Sequence, residues 1–325
     1  MSAIPSTIPL TMIRQKLNEI IDDNDFCDQR VLIIVPDSTR TTPLHVMFPV
    51  IRKQLGEVAR SISVLVALGT HPPMSQNHIR RMLGIAQNDP CEDISLHNHE
   101  WNNSAALTTI GVLTEHETRE LSCGNLAMEV PVEINRRILD CDTVLIVGPV
   151  FPHEVVGFSG GNKYFFPGIS GPRLLNFFHW LGALITNAGI IGIRDTPVRR
   201  VVDRAARLIK AERRCLAFVV ASDSSPYAVF YGSPEDAWQQ ACDVSEQVHI
   251  KRFQRPYRKG PFLCTEDVRR PVGRWKVYVQ ARACRRRRRR TDYLCTSYQR
   301  CLDHPWDADS SDRLSREGLF HETMG

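Results

Sequence analysis

A glycine-rich segment between a histidine and a lysine is the part of this sequence best suited to chemistry. It spans residues 152–163, with the sequence PHEVVGFSGGNK, and follows an apolar run over 143–148 that predicts a buried strand. His179 lies sixteen positions after Lys163. A strand that opens into a glycine-rich turn can hold an anion or a nucleotide, here beside acid/base side chains.

Two other polar clusters accompany this segment, Asp37-Ser38-Thr39-Arg40 and His97-Asn98-His99-Glu100-Trp101. Arg40 can bind a carboxylate through its two-pronged guanidinium, although a surface ion pair is an equally ordinary role. Asp37 can orient a partner side chain, or it can close an Asx turn or cap a helix. Gly157, Gly160 and Gly161 permit a ligand to approach the backbone closely, or they simply allow a tight loop.

Two histidines are candidates for proton transfer. Inverting a carbon that bears hydrogen and hydroxyl needs an acid/base group on each face, and histidine suits that task near neutral pH. His99 and His153 are therefore the candidates, and His97 competes with His99. Taken alone, each would more often be a structural or surface histidine. Because Arg40, Lys163 and His179 occur in the same set of motifs, a functional role is favoured.

The elements that position these side chains alternate between strand and helix. Apolar runs predict strands over 31–35, 63–68, 143–148 and 216–221, and helical spacing predicts helices over 9–23, over 44–56 and from an N-cap at Ser75 to about Gly84. This alternation predicts an α/β fold, a parallel sheet with helices on both faces. Ligands of such sheets bind at the carboxyl ends of strands, and the three polar clusters fall just after predicted strands or in loops between them.

Composition narrows the class of protein. The 325 residues are 42% hydrophobic and 24% charged, as in globular proteins. No apolar run approaches the roughly 18 residues that cross a membrane, and Met1–Leu10 lacks the features of a signal peptide. We therefore expect a cytoplasmic protein without a membrane partner. The six cysteines before residue 260 show no metal-ligand spacing and are expected to be reduced thiols.

The net charge of +5 arises entirely after Lys259, where the periodic patterns also end. This part contains six consecutive arginines, Arg285 to Arg290. Its composition alone predicts a disordered basic tail, in which the arginines could contact nucleic acid or another anion. The balanced charge of the preceding residues gives no reason to expect a nucleic-acid partner for the folded part.

Over about residues 10 to 250, the chain resembles the nickel-pincer-dependent lactate racemase family, through the three clusters and the downstream histidine. The resemblance implies a nickel-pincer nucleotide tethered covalently at Lys163, with His179 as the nickel ligand. It implies that His99 and His153 are the general acid and base. It also implies that Arg40, with Asp37, binds a small 2-hydroxy acid, by default lactate.

The same resemblance implies further cofactor contacts. Ser159, Gly160 and Gly161 belong to the cofactor loop, and Thr70 and His71 belong to a turn on the phosphate side, where Pro72 replaces an arginine common in the family. The implied reaction is racemisation or epimerisation by proton-coupled hydride transfer. Proteins that synthesise the cofactor are implied as partners.

A change of reading frame explains the tail better than a genuine basic segment does. Back-translation of Cys284 to Cys295 with allowed codons, read one nucleotide out of register, gives VVADGGELIIYA. Neighbouring stretches likewise give strings that resemble the family's C-terminal domain. We therefore interpret residues 1–250 as a racemase-like domain and residues 251–325 as a scrambled remnant of a second α/β domain. A sequencing error, a mispredicted intron edge or a real mutation near Lys259 would each produce it.

Two other hypotheses follow from the residues. If the second domain is lost, the chain is a truncated product without catalysis, and we expect the chain as written to lack racemase activity. A zinc-dependent hydrolase using His97, His99 and His153 is the third hypothesis, although the sequence has no HExxH motif or equivalent spacing.

Overall fold

A six-stranded sheet forms the centre of the computed structural model, which describes residues 6–40, 42–221 and 224–250. The sheet has the strand order β10-β9-β6-β1-β2-β3, and all neighbours are parallel except β9 and β10. Its strands are β1 (Arg30–Pro36), β2 (Ser61–Ala67), β3 (Ile94–Asn98), β6 (Thr143–Pro149), β9 (Glu212–Val220) and β10 (Pro226–Gly232). Two small antiparallel pairs are β4 (Leu107–Leu113) with β5 (Val130–Asn135), and β7 (Pro152–His153) with β8 (Gly157–Phe158).

Helices cover both faces of the sheet. They are α1 (Ile13–Ile20), α2 (Leu44–Val58), α3 (Gln76–Met82), α4 (Glu115–Leu121), α5 (Pro172–Ile185), α6 (Pro197–Ala206) and α7 (Pro234–His249). Buried side chains of α1, α2 and α3 form one core cluster with the sheet, and those of α5, α6 and α7 form the other. The predicted α/β fold with a mainly parallel sheet is confirmed.

The continuous apolar runs of the sequence follow from this covering. In β1, Leu32 and Ile34 pack into one cluster, while Val31, Ile33 and Val35 pack into the other. Because each face of the strand is buried, both sets of alternating side chains must be apolar. This is why the strands at 31–35, 63–68, 143–148 and 216–221 were predictable without any alternation of polarity.

The sheet reverses its winding between β1 and β6. From β1 the strand order runs to β2 and β3 on one side, and from β6 to β9 and β10 on the other. The loops that leave β1 and β6 therefore diverge and open a crevice at their carboxyl ends, the usual ligand position in such sheets. Two of the polar clusters, residues 37–40 and 152–163, follow these two strands directly.

Candidate active site

A cavity of about 240 Å³ lies at this carboxyl edge. Four parts of the chain line it: the turn after β1, the turn after β2, the loop from β6 to the glycine-rich segment, and α5. Among the predicted site residues, those that line it are Asp37, Arg40, Thr70, His71, His153, Ser159, Gly160, Lys163 and His179. Residues up to 142 positions apart in sequence, Asp37 and His179, thus share one site.

Asp37, in the turn after β1, and His71, in the turn after β2, form a hydrogen-bonded pair on the cavity wall. Asp37 is buried, and its Oδ2 lies against Nδ1 of His71 at very short range. Its Oδ1 accepts from the amide and hydroxyl of Thr39, at 3.0 and 2.5 Å. Burial disfavours the charge, but the hydrogen bonds from His71 and Thr39 outweigh it and hold the pKa of Asp37 below its ordinary value. Asp37 is therefore a carboxylate, and in this form it orients His71.

Arg40 supplies a cation for a ligand. Its guanidinium carbon lies 5.6 Å from the centre of the Phe151 ring, which anchors it through a cation–π contact. Within the described ranges, no carboxylate forms an ion pair with Arg40. An arginine that lines a cavity and has no carboxylate partner can bind an incoming carboxylate through two parallel hydrogen bonds.

His153 is held by its own loop. The side chain is 6% exposed, and Nδ1 accepts from the Val155 amide at 3.1 Å. The neutral ring therefore carries its proton on Nε2. Oε2 of Glu154 lies 3.8 Å from Nδ1. This setting suits a residue that gives and takes a proton.

The glycine-rich loop brings its backbone close to β6. Gly160 has φ +81°, and a Cβ there would lie 2.6 Å from Cγ2 of Val150. The Ser159 hydroxyl donates to the Pro149 carbonyl and accepts from the Phe151 amide, so it fixes the loop. Gly161 does not line the cavity, since a Cβ there would meet Trp238 of α7 at 3.0 Å.

Lys163 reaches the cavity from the short 3-10 helix Gly161–Tyr164. Burial, followed by the nearby Arg40 guanidinium, lowers the pKa of its amine to about 7. A lysine that is substantially neutral near pH 7 is a nucleophile and can form a covalent bond.

His179 faces the cavity from α5 with a defined tautomer. Its Nδ1–H donates to the Leu175 carbonyl at 2.9 Å, which leaves the lone pair on Nε2. Burial lowers the pKa of the ring and so favours this neutral form. Metal-binding histidines usually have their second nitrogen fixed in this way.

His99 does not line the cavity. It is 2% exposed, its Nε2–H donates to the Ser170 carbonyl at 3.0 Å, and its Nδ1 accepts from Asn135 at 3.2 Å. Burial lowers its pKa to about 4. In this structure both ring nitrogens are thus occupied by protein groups. The structure does not bring His99 or Gly161 to the cavity that holds the other predicted site residues.

Two residues absent from the sequence-based site support the loop. Arg199 of α6 and Trp238 of α7 bind its carbonyl oxygens. Asn162, inside the motif, donates to Asp203 and Glu235 at 3.0 and 2.9 Å. No local motif marks Arg199 or Trp238, and the only available signal was an arginine on the predominantly apolar side of a helix.

The three histidines of the zinc hypothesis do not form a metal site. Over residues 6–40, 42–221 and 224–250, no group of three or more His, Cys, Asp or Glu side chains converges to hold an ion. His153 lines the cavity, whereas His97 and His99 do not. In the same residues no helix has the length and apolar character needed to cross a membrane.

Fold and site together define an α/β domain with a polar cavity at the point where the sheet reverses its winding. The model of the lactate racemase N-terminal domain matches residues 5–190. The chain therefore belongs to the lactate racemase family, through that domain.

Individual relatives agree with this assignment. The chain is 27% identical over 227 residues to a lactate racemase from Thermoanaerobacterium thermosaccharolyticum, covering 68% of this chain and 48% of the relative. It is 25% identical over 228 residues to a lactate racemase from Lactiplantibacillus plantarum, covering 67% and 48%. The chain thus spans about half the length of these curated relatives.

Solved structures show the same fold. A crystal structure of a protein from Thermotoga maritima matches with a TM-score of 0.69 and 29% identity, over 79% of this chain and 63% of that one. The lactate racemase apoprotein from Thermoanaerobacterium thermosaccharolyticum matches with a TM-score of 0.57 and 22% identity, over 74% and 55%.

Proposed function

We propose that this chain is the cofactor-binding part of a 2-hydroxyacid racemase or epimerase that uses a nickel-pincer nucleotide. The observation that carries the proposal is the convergence of Arg40, His153, Lys163 and His179 on one cavity at the switch point of the sheet. The name of the relatives, lactate racemase, makes lactate the first substrate to test.

The residues present fit such a cofactor. Lys163 offers an amine of lowered pKa for a covalent tether, and His179 offers an Nε2 lone pair for nickel. Gly160 provides close backbone approach on the cavity wall. When bound, the nucleotide supplies the acceptor for the hydride that leaves the substrate's α-carbon.

The side chains of the chain then bind and polarise the substrate. Arg40 binds the carboxylate of the hydroxy acid and fixes its orientation. His153, neutral with its proton on Nε2, exchanges a proton with the substrate hydroxyl. His71, held by Asp37, closes the β2 side of the cavity. We assign the second acid/base role to His99 on the family resemblance alone, and it requires the ring to leave its contacts with Ser170 and Asn135.

Attachment of the cofactor tests the proposal without requiring turnover. The chain is co-expressed with cofactor-biosynthesis proteins, and its tryptic peptides and metal content are measured. We expect a nucleotide-sized mass increment on Lys163 and stoichiometric nickel. Lys163→Ala should lose both, whereas Lys53→Ala, an exposed control on α2, should keep both. An unmodified Lys163, or stoichiometric zinc in place of nickel, would overturn the proposal.

A further inference from the structure

A buried arginine contacts the glycine-rich loop without lining the cavity. Arg199 is 3% exposed, and its NH2 group donates to the Phe158 carbonyl at 2.5 Å. Its NH1 group donates to the Gly160 carbonyl at 3.3 Å. The guanidinium carbon lies 4.2 Å from the centre of the Trp238 ring, so the plane of the cation is supported by an aromatic face.

Trp238 completes this set of contacts. Its indole Nε1–H donates to the Ser159 carbonyl at 2.8 Å. Three consecutive carbonyl groups, those of Phe158, Ser159 and Gly160, are therefore bound by two side chains from α6 and α7. In a trans peptide the C=O of one residue and the N–H of the next point in opposite directions. Binding the three carbonyls thus also fixes the directions of the following N–H groups.

These peptide units directly precede the 3-10 helix that carries Lys163. Gly160 and Gly161 both have positive φ, at +81° and +56°, so the loop has backbone freedom that other contacts must limit. The carboxylate partner of Arg199, Asp203, lies at 3.9 Å. Among the described residues, no hydrogen-bond partner contacts Nε of Arg199. The loop carbonyls are therefore the main compensation for a cation taken out of water.

We propose that Arg199 is a positioning residue, whose guanidinium, supported by Trp238, orients the 158–161 loop and thereby places Lys163 in the cavity. An arginine suits this task because its rigid fork reaches two carbonyls at once, which the single ammonium of a lysine does not do in the same geometry. The inference rests on the proposed function only in taking Lys163 as the residue to be placed. Its test measures chemical labelling of the chain without cofactor, so the two proposals can fail separately.

The test compares Arg199→Met and Arg199→Lys with a matched control, Arg200→Met. Arg200 is the next residue of α6, exposed, and paired with Asp195. Each full-length chain is acetylated with a sulfo-N-hydroxysuccinimide ester at neutral pH, and peptide mass spectrometry follows Lys163 relative to Lys53.

We expect Arg199→Met to lower the ratio of the acetylation rate of Lys163 to that of Lys53 by at least about fivefold. This is the effect expected from the free energy of one lost hydrogen bond. One reason is that a displaced amine regains water and its proton. Loss of the Arg199 charge acts in the same direction, because burial and then nearby cations, this one included, lower the pKa of Lys163. Arg199→Lys and Trp238→Phe keep a cation at position 199, so they isolate the effect of position. Arg199→Lys should recover part of the ratio, and Arg200→Met should leave it unchanged.

A second variant covers the case in which Arg199→Met does not fold. Trp238→Phe retains an aromatic face under Arg199 but loses the hydrogen bond to Ser159. It should lower the ratio in the same direction while circular dichroism stays unchanged. A wild-type ratio in the folded variants contradicts the proposal, and so does an equal change at Lys163 and Lys53, which would indicate a general loss of stability. If only Trp238→Phe folds, its ratio decides.

Discussion

Lys163 shows how the fold changes the chemistry of one residue. In the sequence it is a lysine in a glycine-rich turn, indistinguishable in type from Lys53. In the structure, burial and the Arg40 guanidinium lower the pKa of its amine to about 7. The charged form is disfavoured because it would lose hydration and lie beside another cation. The residue is thereby prepared for covalent chemistry near neutral pH.

The pH dependence of labelling tests this property. Because only the neutral amine reacts, a lowered pKa moves the onset of reactivity to lower pH. We expect acetylation of Lys163 to reach half its maximal rate near pH 7, whereas an ordinary lysine does so near about 10.4. Rates measured by peptide mass spectrometry across this range, with exposed Lys53 as internal control, provide the check. A midpoint for Lys163 in the ordinary range would contradict the environment described.

His99 shows the limit of motif reasoning at the residue scale. It directly follows β3, which ends at Asn98 and which the sequence patterns did not predict. The direction of its ring depends on Ser170 and Asn135, which are 71 and 36 positions away. No local pattern encodes such contacts, so the sequence could nominate this histidine but not orient it.

At the scale of elements, the glycine-rich loop combines both alternatives that its sequence left open. It is a tight turn, since Gly160 approaches Val150, and it lines a ligand cavity. The helix that carries His179 was not predicted as such, although Pro172 at its start and its apolar spacing are typical helix signals. The anchoring by Arg199 and Trp238 had no comparable signal, because α6 and α7 meet the loop only in the folded chain.

Replacement of Gly160 tests whether backbone conformation and close packing together require glycine there. Gly160 has φ +81° with ψ −178°, a combination that essentially only glycine adopts, and a Cβ there would collide with Val150, whereas at Gly124 (φ +80°) a Cβ would meet no neighbouring atom. We expect Gly124→Ala to cost about 1–2 kcal/mol of unfolding free energy from positive φ alone. Gly160→Ala should cost more, by at least about 1 kcal/mol, since the strain of this φ/ψ combination and overpacking are added.

Chemical denaturation of the two variants measures the difference directly. Labelling of Lys163 in Gly160→Ala reports in addition whether the cavity wall moves. Equal losses of stability for the two variants would mean that neither the φ/ψ combination of Gly160 nor its approach to Val150 constrains this position.

At the scale of the whole molecule, the question is whether this chain can complete a reaction. The predicted boundary near residue 250 and the scrambled segment 251–325 lie outside the described residues, so both stay predictions. The family resemblance implies that the second domain contributes part of the substrate pocket. The described residues supply Arg40, His153, Lys163 and His179 on one cavity. Under the proposed function, this cavity is the cofactor site with part of a substrate site.

We therefore expect the chain as written to accept cofactor at Lys163 but not to racemise lactate. A version with the reading frame restored after about Lys259 should do both. Chiral chromatography of lactate incubated with each loaded protein provides the comparison, and sequencing of gene and transcript across the codons for 256–261 identifies the origin of the change. Comparable racemisation by both versions would show that the second domain is dispensable.

The sequence by itself determined four strands of the central sheet, over 31–35, 63–68, 143–148 and 216–221, and the polar loops that follow the first three of them. Continuous apolar runs specify doubly covered strands, and glycine, histidine and lysine spacing specifies the family, because both are short-range patterns. Only the tertiary structure decided that β1 lies beside β6, and hence that Arg40 and Lys163 share a cavity that His99 does not line. Strand order and side-chain direction depend on contacts between segments that are distant in sequence. The free energy of such a contact depends on both segments, so the sequence of one segment alone does not specify it.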